Sequence, residues 1–193
     1  MSLPVVAVVG SPNVGKSTIF NRLIGERHAI VDDEAGITRD RLYGVVNWMN
    51  TKFSIIDTGG IELADRPFQD QIRMQAEIAI DEADVIVFVC DGRVGVTRDD
   101  LLVSKILRKQ TKPIILAINK IDEGTHASSI HEFYKLGLGD PLAVSGVHGV
   151  GIGDLLNKII SIIPKKEEEI DESVITFSLI GRPNVGKSSL TNA

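Results

Sequence analysis

The sequence predicts an α/β fold: a mostly parallel six-stranded sheet with one antiparallel hairpin and helices on both faces. Three observations predict it. Short β-branched apolar runs alternate with segments of helical period, joined by short connections. One pair of runs is separated by only three residues, too few for a crossover, so those two strands are antiparallel. The first apolar run leads into a glycine-rich loop ending in Gly-Lys-Ser, and that loop opens the first helical segment.

The elements follow in order. Residues 5–9 are apolar and mostly β-branched, a strand buried on both faces, and Gly10 ends it. Ile19, Phe20, Leu23 and Ile24 recur at helical spacing, and Gly25 stops the helix. Residues 26–40 have no period and read as a mobile loop, with Asp32, Asp33 and Glu34 as its solvated acidic part. Residues 41–48 and 52–57 form the hairpin, turning at Met49, Asn50 and Thr51, with Trp48 packed on it. Residues 66–82 are a helix with Phe68, Ile72, Ala76 and Ala79 on one face. Residues 84–90 are a buried strand in which Cys90 is a small core residue. A helix over 98–110, a strand over 113–118, a short helix over 128–136 and a short strand over 141–144 come next. Leu155, Leu156, Ile159, Ile160 and Ile163 give residues 152–163 a strong apolar face.

One domain therefore spans 1–163, and residues 164–173 are a charged linker. Residues 174–193 restart the pattern as the beginning of a second, truncated domain. Their strand, 174–180, has two open fates, disorder or pairing with an exposed sheet edge.

Composition narrows the function classes. The chain is 43% hydrophobic and 24% charged, the balance of a soluble globular protein with a real core. No apolar run reaches the roughly 18 residues that a membrane span needs. The amino-terminal segment lacks the basic region of a signal peptide and enters the loop directly. A single cysteine gives no internal disulfide partner, which fits a reducing compartment and a cytoplasmic location. A net charge of −5 argues against bulk, nonspecific nucleic-acid binding. His28, His126, His131 and His148 have no zinc-like spacing.

The chemistry concentrates in motifs that follow strands. Gly10, Ser11, Pro12, Asn13, Val14, Gly15, Lys16 and Ser17 fit the pattern Gly-x-x-x-x-Gly-Lys-Ser. Gly181, Arg182, Pro183, Asn184, Val185, Gly186, Lys187 and Ser188 fit it again, with the same inner Pro-Asn-Val. One chance match is expected in about a hundred chains of this size. Two matches sharing their variable residues are not chance. Phosphate oxygens need many donors at close range, and a glycine turn at a helix N-terminus supplies backbone N–H groups and positive potential. Lys16 then reaches the terminal phosphates, Ser17 offers a hydroxyl to magnesium, and Thr18 completes the grip.

Asp57, Thr58, Gly59, Gly60 and Ile61 follow the second hairpin strand. A carboxylate at a strand's carboxyl end holds magnesium, and the glycines let a backbone N–H approach the last phosphate. Asn119, Lys120 and Asp122 follow the 113–118 strand. The Asp122 carboxylate accepts the two donors that guanine presents on one edge, and adenine has no such pair. Ser145 and Gly146, after the last strand, bring a backbone N–H toward guanine O6.

Taken in order, these motifs resemble the series of small GTPases related to translation factors. The tandem loops, the inner Pro-Asn-Val, Gly36-Ile37-Thr38-Arg39-Asp40 and the run Asp57 to Ile61 resemble the Der (EngA) family. These are bacterial GTPases with two successive G domains and a C-terminal KH-like domain, implicated in assembly of the large ribosomal subunit. The resemblance covers the whole chain and implies a P-loop G domain that binds GTP and GDP with Mg2+, hydrolyses GTP, and has the large ribosomal subunit as its partner. No KH-like region follows in this sequence, so RNA binding is not carried over.

By the same resemblance Thr38 closes on magnesium and the last phosphate, so Lys16, Thr38, Gly60 and Asn13 are the catalytic candidates. Arg39 and Arg41 read as solvated loop charges. The chain departs from many GTPases at Ile61, where a glutamine usually orients the attacking water; the neighbouring Glu62 need not reach it. Asn13 keeps two readings. The resemblance makes it a ligand for a potassium ion that replaces the missing charge, and residue type makes it a shaper of the turn after Pro12.

Overall fold

The computed structural model describes residues 3–25, 42–58, 68–121 and 130–164. The elements run β1 (Val5–Val9), α1 (Lys16–Gly25), β2 (Leu42–Trp48), β3 (Thr51–Asp57), α2 (Phe68–Glu82), β4 (Val85–Asp91), α3 (Arg98–Leu107) and β5 (Ile114–Asn119). A 3-10 helix (His131–Leu136), β6 (Leu142–Ala143) and α4 (Ile152–Ile162) complete them. The linker and the restarted pattern at 165–193 lie outside the described residues.

The six strands form one sheet in the order β2-β3-β1-β4-β5-β6. Only the β2–β3 pair is antiparallel; the other four pairings are parallel. The predicted fold class is thus the one observed. The centre of the sheet belongs to the strands that are apolar on both faces. β4 is buried at all seven positions, and β1 beside it at four of its five.

The strand period of two divides the core. Val6 and Val8 join Ile19, Leu23, Leu155 and Ile159 on the face covered by α1 and α4. Ala7 and Val9 join Ala76, Ala79, Val103, Leu107 and Phe133 on the other, covered by α2, α3 and the 3-10 helix. Of the predicted α2 face, Ala76 and Ala79 are buried; the side chains of Phe68 and Ile72 lie outside what is described. Cys90 is fully buried in β4, where burial and then the Asp100 carboxylate push its thiol far above the usual range.

Three local expectations are corrected. The hairpin turns on two residues, Met49 (φ 46°) and Asn50 (φ 64°), and Thr51 joins β3 opposite Trp48. Two successive left-handed residues match the twist of the flanking strands, which makes the tight turn possible. Helix α3 stops at Leu107 rather than 110, because Lys109 and Gln110 donate three residues back, to Ile106 and Leu107 carbonyls, and tighten the chain. Of the short helix predicted over 128–136, residues 128–129 lie outside the described residues; Ile130 is helical, His131–Leu136 take 3-10 form, and Gly137 ends it with φ 63°. The last strand shrinks to Leu142–Ala143, although Val144 N–H still donates to the Ile118 carbonyl at 2.8 Å.

Trp48, partly buried against the cluster that holds Val46, Phe53 and Ile55 of the hairpin, also reaches beyond it: its indole N–H donates to Asn157 Oδ1 on α4 at 2.9 Å, tying the hairpin tip to the far helix. Among the described residues no helix is long and apolar enough to cross a membrane.

Candidate nucleotide site

The motif residues within the described segments gather at the carboxyl ends of β1, β3, β5 and β6, on one rim of the sheet. Parallel α/β sheets present their ligand-binding loops there, since each strand hands the chain to a loop at that end.

The loop between β1 and α1 is packed as well as curved. A Cβ on Gly10 would sit 2.3 Å from the Val89 carbonyl oxygen, and one on Gly15 would sit 2.3 Å from Asn119 Nδ2. Gly15 also takes φ 93°, and Asn13 takes φ 62°, a left-handed conformation that asparagine tolerates better than most residues. That geometry is what the turn-shaping reading of Asn13 requires.

Lys16 opens α1 and folds back over the loop. Its ammonium donates to the Gly10 carbonyl at 2.9 Å and the Ser11 carbonyl at 3.0 Å. Only 7% of the residue is exposed. Burial lowers its pKa from the ordinary 10.5, and the Asp57 carboxylate pulls the other way. Ser17 Oγ donates to Asp57 Oδ2 at 2.7 Å, so the two residues assigned to magnesium meet across the strand end. Thr58 Oγ1 donates to the Val8 carbonyl at 2.8 Å and pins the end of β3 against β1.

Asn119 connects two loops. Its Nδ2 donates to the Val14 carbonyl at 2.8 Å, and its Oδ1 accepts the Gly146 N–H at 3.0 Å. Gly146, expected to aim its N–H at a base, is therefore engaged by Asn119. Lys120 follows with φ 66°; its ammonium donates to the Asn13 carbonyl and to Asp91 Oδ2, each at 2.6 Å. The loop after β6 closes on itself: Ser145 N–H donates to the Val150 carbonyl, Gly149 N–H to the Ser145 carbonyl, and His148 N–H to Ser145 Oγ. Arg22 on α1 reaches this loop, donating from Nε to the Gly146 carbonyl at 3.0 Å and from Nη2 to the Val147 carbonyl. Thr18, Asn21, Arg22, Gly25, Trp48, Gly146 and Val147 line a cleft of about 870 Å³ at this corner.

Three functional neighbours escape the sequence reading. Asp91 ends β4 as Asp57 ends β3, and that parallel position would have revealed it. Asp100 is announced by Thr97, three residues before it, in a capping box; the same carboxylate accepts from Ser11 Oγ at 3.2 Å. Arg22 carries no local signal, because its partners lie more than a hundred residues away.

Thr38, Gly59, Gly60, Ile61 and Asp122 lie outside the described residues, as does the whole second loop from Gly181 to Ser188.

A family model described as "50S ribosome-binding GTPase" matches residues 5–120. The chain is similar to GTPase Der of Enterococcus faecalis, 61% identical over 193 residues, covering all of this chain and 44% of that protein. GTPase Der of Bacillus cereus is 60% identical over 194 residues, with the same coverage. The chain thus spans less than half the length of these relatives. Among solved structures, an Aquifex aeolicus Era variant bound to GDP and AlF4− superposes with a TM-score of 0.66 at 31% identity, covering 93% of this chain and 63% of that one. The FeoB G-domain of Methanococcus jannaschii gives a TM-score of 0.57 at 27% identity, over 84% of this chain and 97% of that one.

Proposed function

Because the chain belongs to the family of 50S ribosome-binding GTPases, we propose that it is a guanine-nucleotide switch that binds GTP and GDP and hydrolyses GTP. The observation that carries the reading is the Ser17–Asp57 hydrogen bond at 2.7 Å beside the buried Lys16. It brings the hydroxyl and carboxylate that a phosphate-bound metal requires to the mouth of an amide-lined loop.

The residues present fit magnesium, a hard cation that takes oxygen ligands. Ser17 and Asp57 are the ones that would hold it, with Thr38 from the 26–41 segment as the third. When bound, the metal supplies positive charge to the developing negative charge on the phosphates. The chain does the rest. Backbone N–H groups of the β1–α1 loop bind the phosphate oxygens, and Lys16 exchanges its two loop carbonyls for terminal phosphate oxygens. The Gly60 N–H approaches the last phosphate. Asp122 accepts the guanine N1–H and 2-amino group, and the loop at Ser145 and Gly146 faces O6.

Hydrolysis has a weak point in this chain. Ile61 stands where a water-orienting glutamine is usual and cannot hold a water. Asn13 as a ligand for potassium answers this by placing a cation beside the phosphates. Ile61 also favours a second reading, a nucleotide-responsive binding module whose turnover waits on potassium or a partner. By likeness to GTPase Der, the process served is assembly of the large ribosomal subunit, in the cytoplasm. The second loop, from Gly181 to Ser188, belongs on this reading to a second nucleotide site.

An affinity panel of GTP, GDP and ATP tests the proposal: guanine nucleotides should bind at least about a hundredfold more tightly than ATP. Asp122→Asn should lose GTP affinity and gain xanthosine triphosphate, since an amide donates to the extra carbonyl. Unchanged GTP affinity in that variant would refute Asp122 as the base reader.

A further inference from the structure

We infer that Arg22 is a positioning residue for base recognition: from helix α1 it holds the loop at 145–150 in the pose that meets the O6 edge of guanine. The inference rests on the reading of that loop as the O6 contact.

The geometry is specific to one peptide group. Gly146 is gripped at both ends. Its N–H donates to Asn119 Oδ1 at 3.0 Å, and its carbonyl accepts Arg22 Nε at 3.0 Å. The next carbonyl, of Val147, accepts Nη2 of the same guanidinium. A guanidinium presents its donors in a fixed plane, so two adjacent carbonyls bound by one side chain lose both translation and rotation relative to it. Lysine has no such fork.

The loop's own backbone does not fix this pose. Val147 is 66% exposed, so packing does not hold the loop tip. Gly149 takes φ 77° and Gly151 takes φ 71°, conformations open to many alternatives when the residue is glycine. The internal bonds, Ser145 to Val150 and Gly149 to Ser145, fix the loop's shape but not its orientation to the rest of the site. Two long-range ties act on that orientation, Asn119 on β5 and Arg22 on α1. Helix α1 begins with Lys16 and Ser17, and Arg22 lies about one and a half turns on along the same rod. The residues that hold phosphate and the one that holds the base loop thus share a rigid element, and the distance between phosphate grip and base edge is set by that helix.

The test separates positioning from general support by measuring a ratio. GTP is compared with 6-thioguanosine triphosphate, which keeps the phosphates, the N1–H and the 2-amino group but carries a weakly accepting sulfur in place of O6. The full 193-residue chain is used, unaltered and as Arg22→Lys and Arg22→Ala, with the single tryptophan, Trp48, reporting that each variant is folded. The unaltered chain should prefer GTP by roughly ten- to a hundredfold, as expected for a buried hydrogen bond to one carbonyl. Arg22→Ala should cut that preference by about fivefold or more, while its affinity for the analogue stays within about twofold. Arg22→Lys should fall between.

A purely structural role would weaken both nucleotides together and leave the ratio intact, and that result in a folded variant would overturn the inference. Should Arg22→Ala fail to fold, the Arg22→Lys ratio decides alone: a value equal to that of the unaltered chain refutes positioning by the fork. If the unaltered chain itself shows no preference, the O6 reading is wrong and the inference falls with it.

Discussion

The Lys16 ammonium is nearly sealed from solvent and rests on two carbonyls of its own loop. Burial makes the folded chain hold that proton less tightly than the unfolded chain does. The sign follows directly. Below the folded-state pKa both states are charged, and the folded state bears the full cost of an enclosed ammonium. As pH rises through that value toward the ordinary 10.5, the cost is relieved and the contribution to stability improves. Lys16→Met should therefore be more stable than the parent at neutral pH, with the gap closing as pH approaches 10.5, while nucleotide affinity falls by about a hundredfold or more. Urea denaturation at pH 7.5 and pH 10, each with and without GTP, reads both effects. A gap that widens with pH would show that the two loop carbonyls outweigh burial. Such a trade is what a binding residue held ready in a low-dielectric pocket entails.

At the scale of elements, helix α3 shows how a local cap and a distant site share one side chain. Thr97 Oγ1 accepts the Asp100 N–H at 3.1 Å, and Asp100 Oδ2 accepts the Thr97 N–H at 3.0 Å. Asp100 Oδ1 meanwhile accepts from Ser11 in the phosphate loop. Thr97→Ala removes one limb of the cap and should cost about 1 kcal/mol in equilibrium denaturation. It should also quicken nucleotide dissociation by a few-fold, because the buried carboxylate that steadies Ser11 loses its own support. Dissociation of a fluorescent GDP analogue checks the second effect, and an unchanged rate would uncouple cap from loop. Thr-x-x-Asp before an apolar helix is the signal that would have revealed the cap, which the sequence reading passed over. Its reach to Ser11 was not legible, since periodicity records which face of an element is buried and not what crosses between elements. The same limit explains Trp48 and Asn119. Strand β1 was legible to the residue because a run apolar on both faces fits only the centre of a parallel sheet. The 3-10 helix and the two-residue β6 were blurred, because short elements end where hydrogen bonds end rather than where hydrophobicity changes.

For the whole molecule the open quantity is rate. The parallel sheet, its two-sided core and the rim of motif loops make a G domain whatever its turnover. On the proposed reading, Ile61 and Asn13 make turnover depend on the solution. Single-turnover GTP hydrolysis should be at least about tenfold faster in potassium chloride than in sodium chloride at equal ionic strength. Equal rates would leave Asn13 with its turn-shaping role alone, which its φ of 62° already satisfies. They would also favour the slow binding module over the switch. Either way the fold class was the most legible feature, because strand–helix alternation fixes layers and one short connection fixes the hairpin. The motifs were legible wherever a strand end marked their place.

The sheet has a second rim, and its turns are secured differently. Val5 N–H is held by Asp84 Oδ2 at 2.8 Å, and the Lys112 ammonium closes over the last carbonyls of α2 at Ile80 and Asp81. Among the described residues no motif residue sits there. A dye, tether or affinity handle fixed near exposed Lys109 or Thr111, on the turn that leads into this rim, would leave the opposite loops unobstructed. The fold thus offers its own anchoring end, from which the working end can be watched on a surface one molecule at a time.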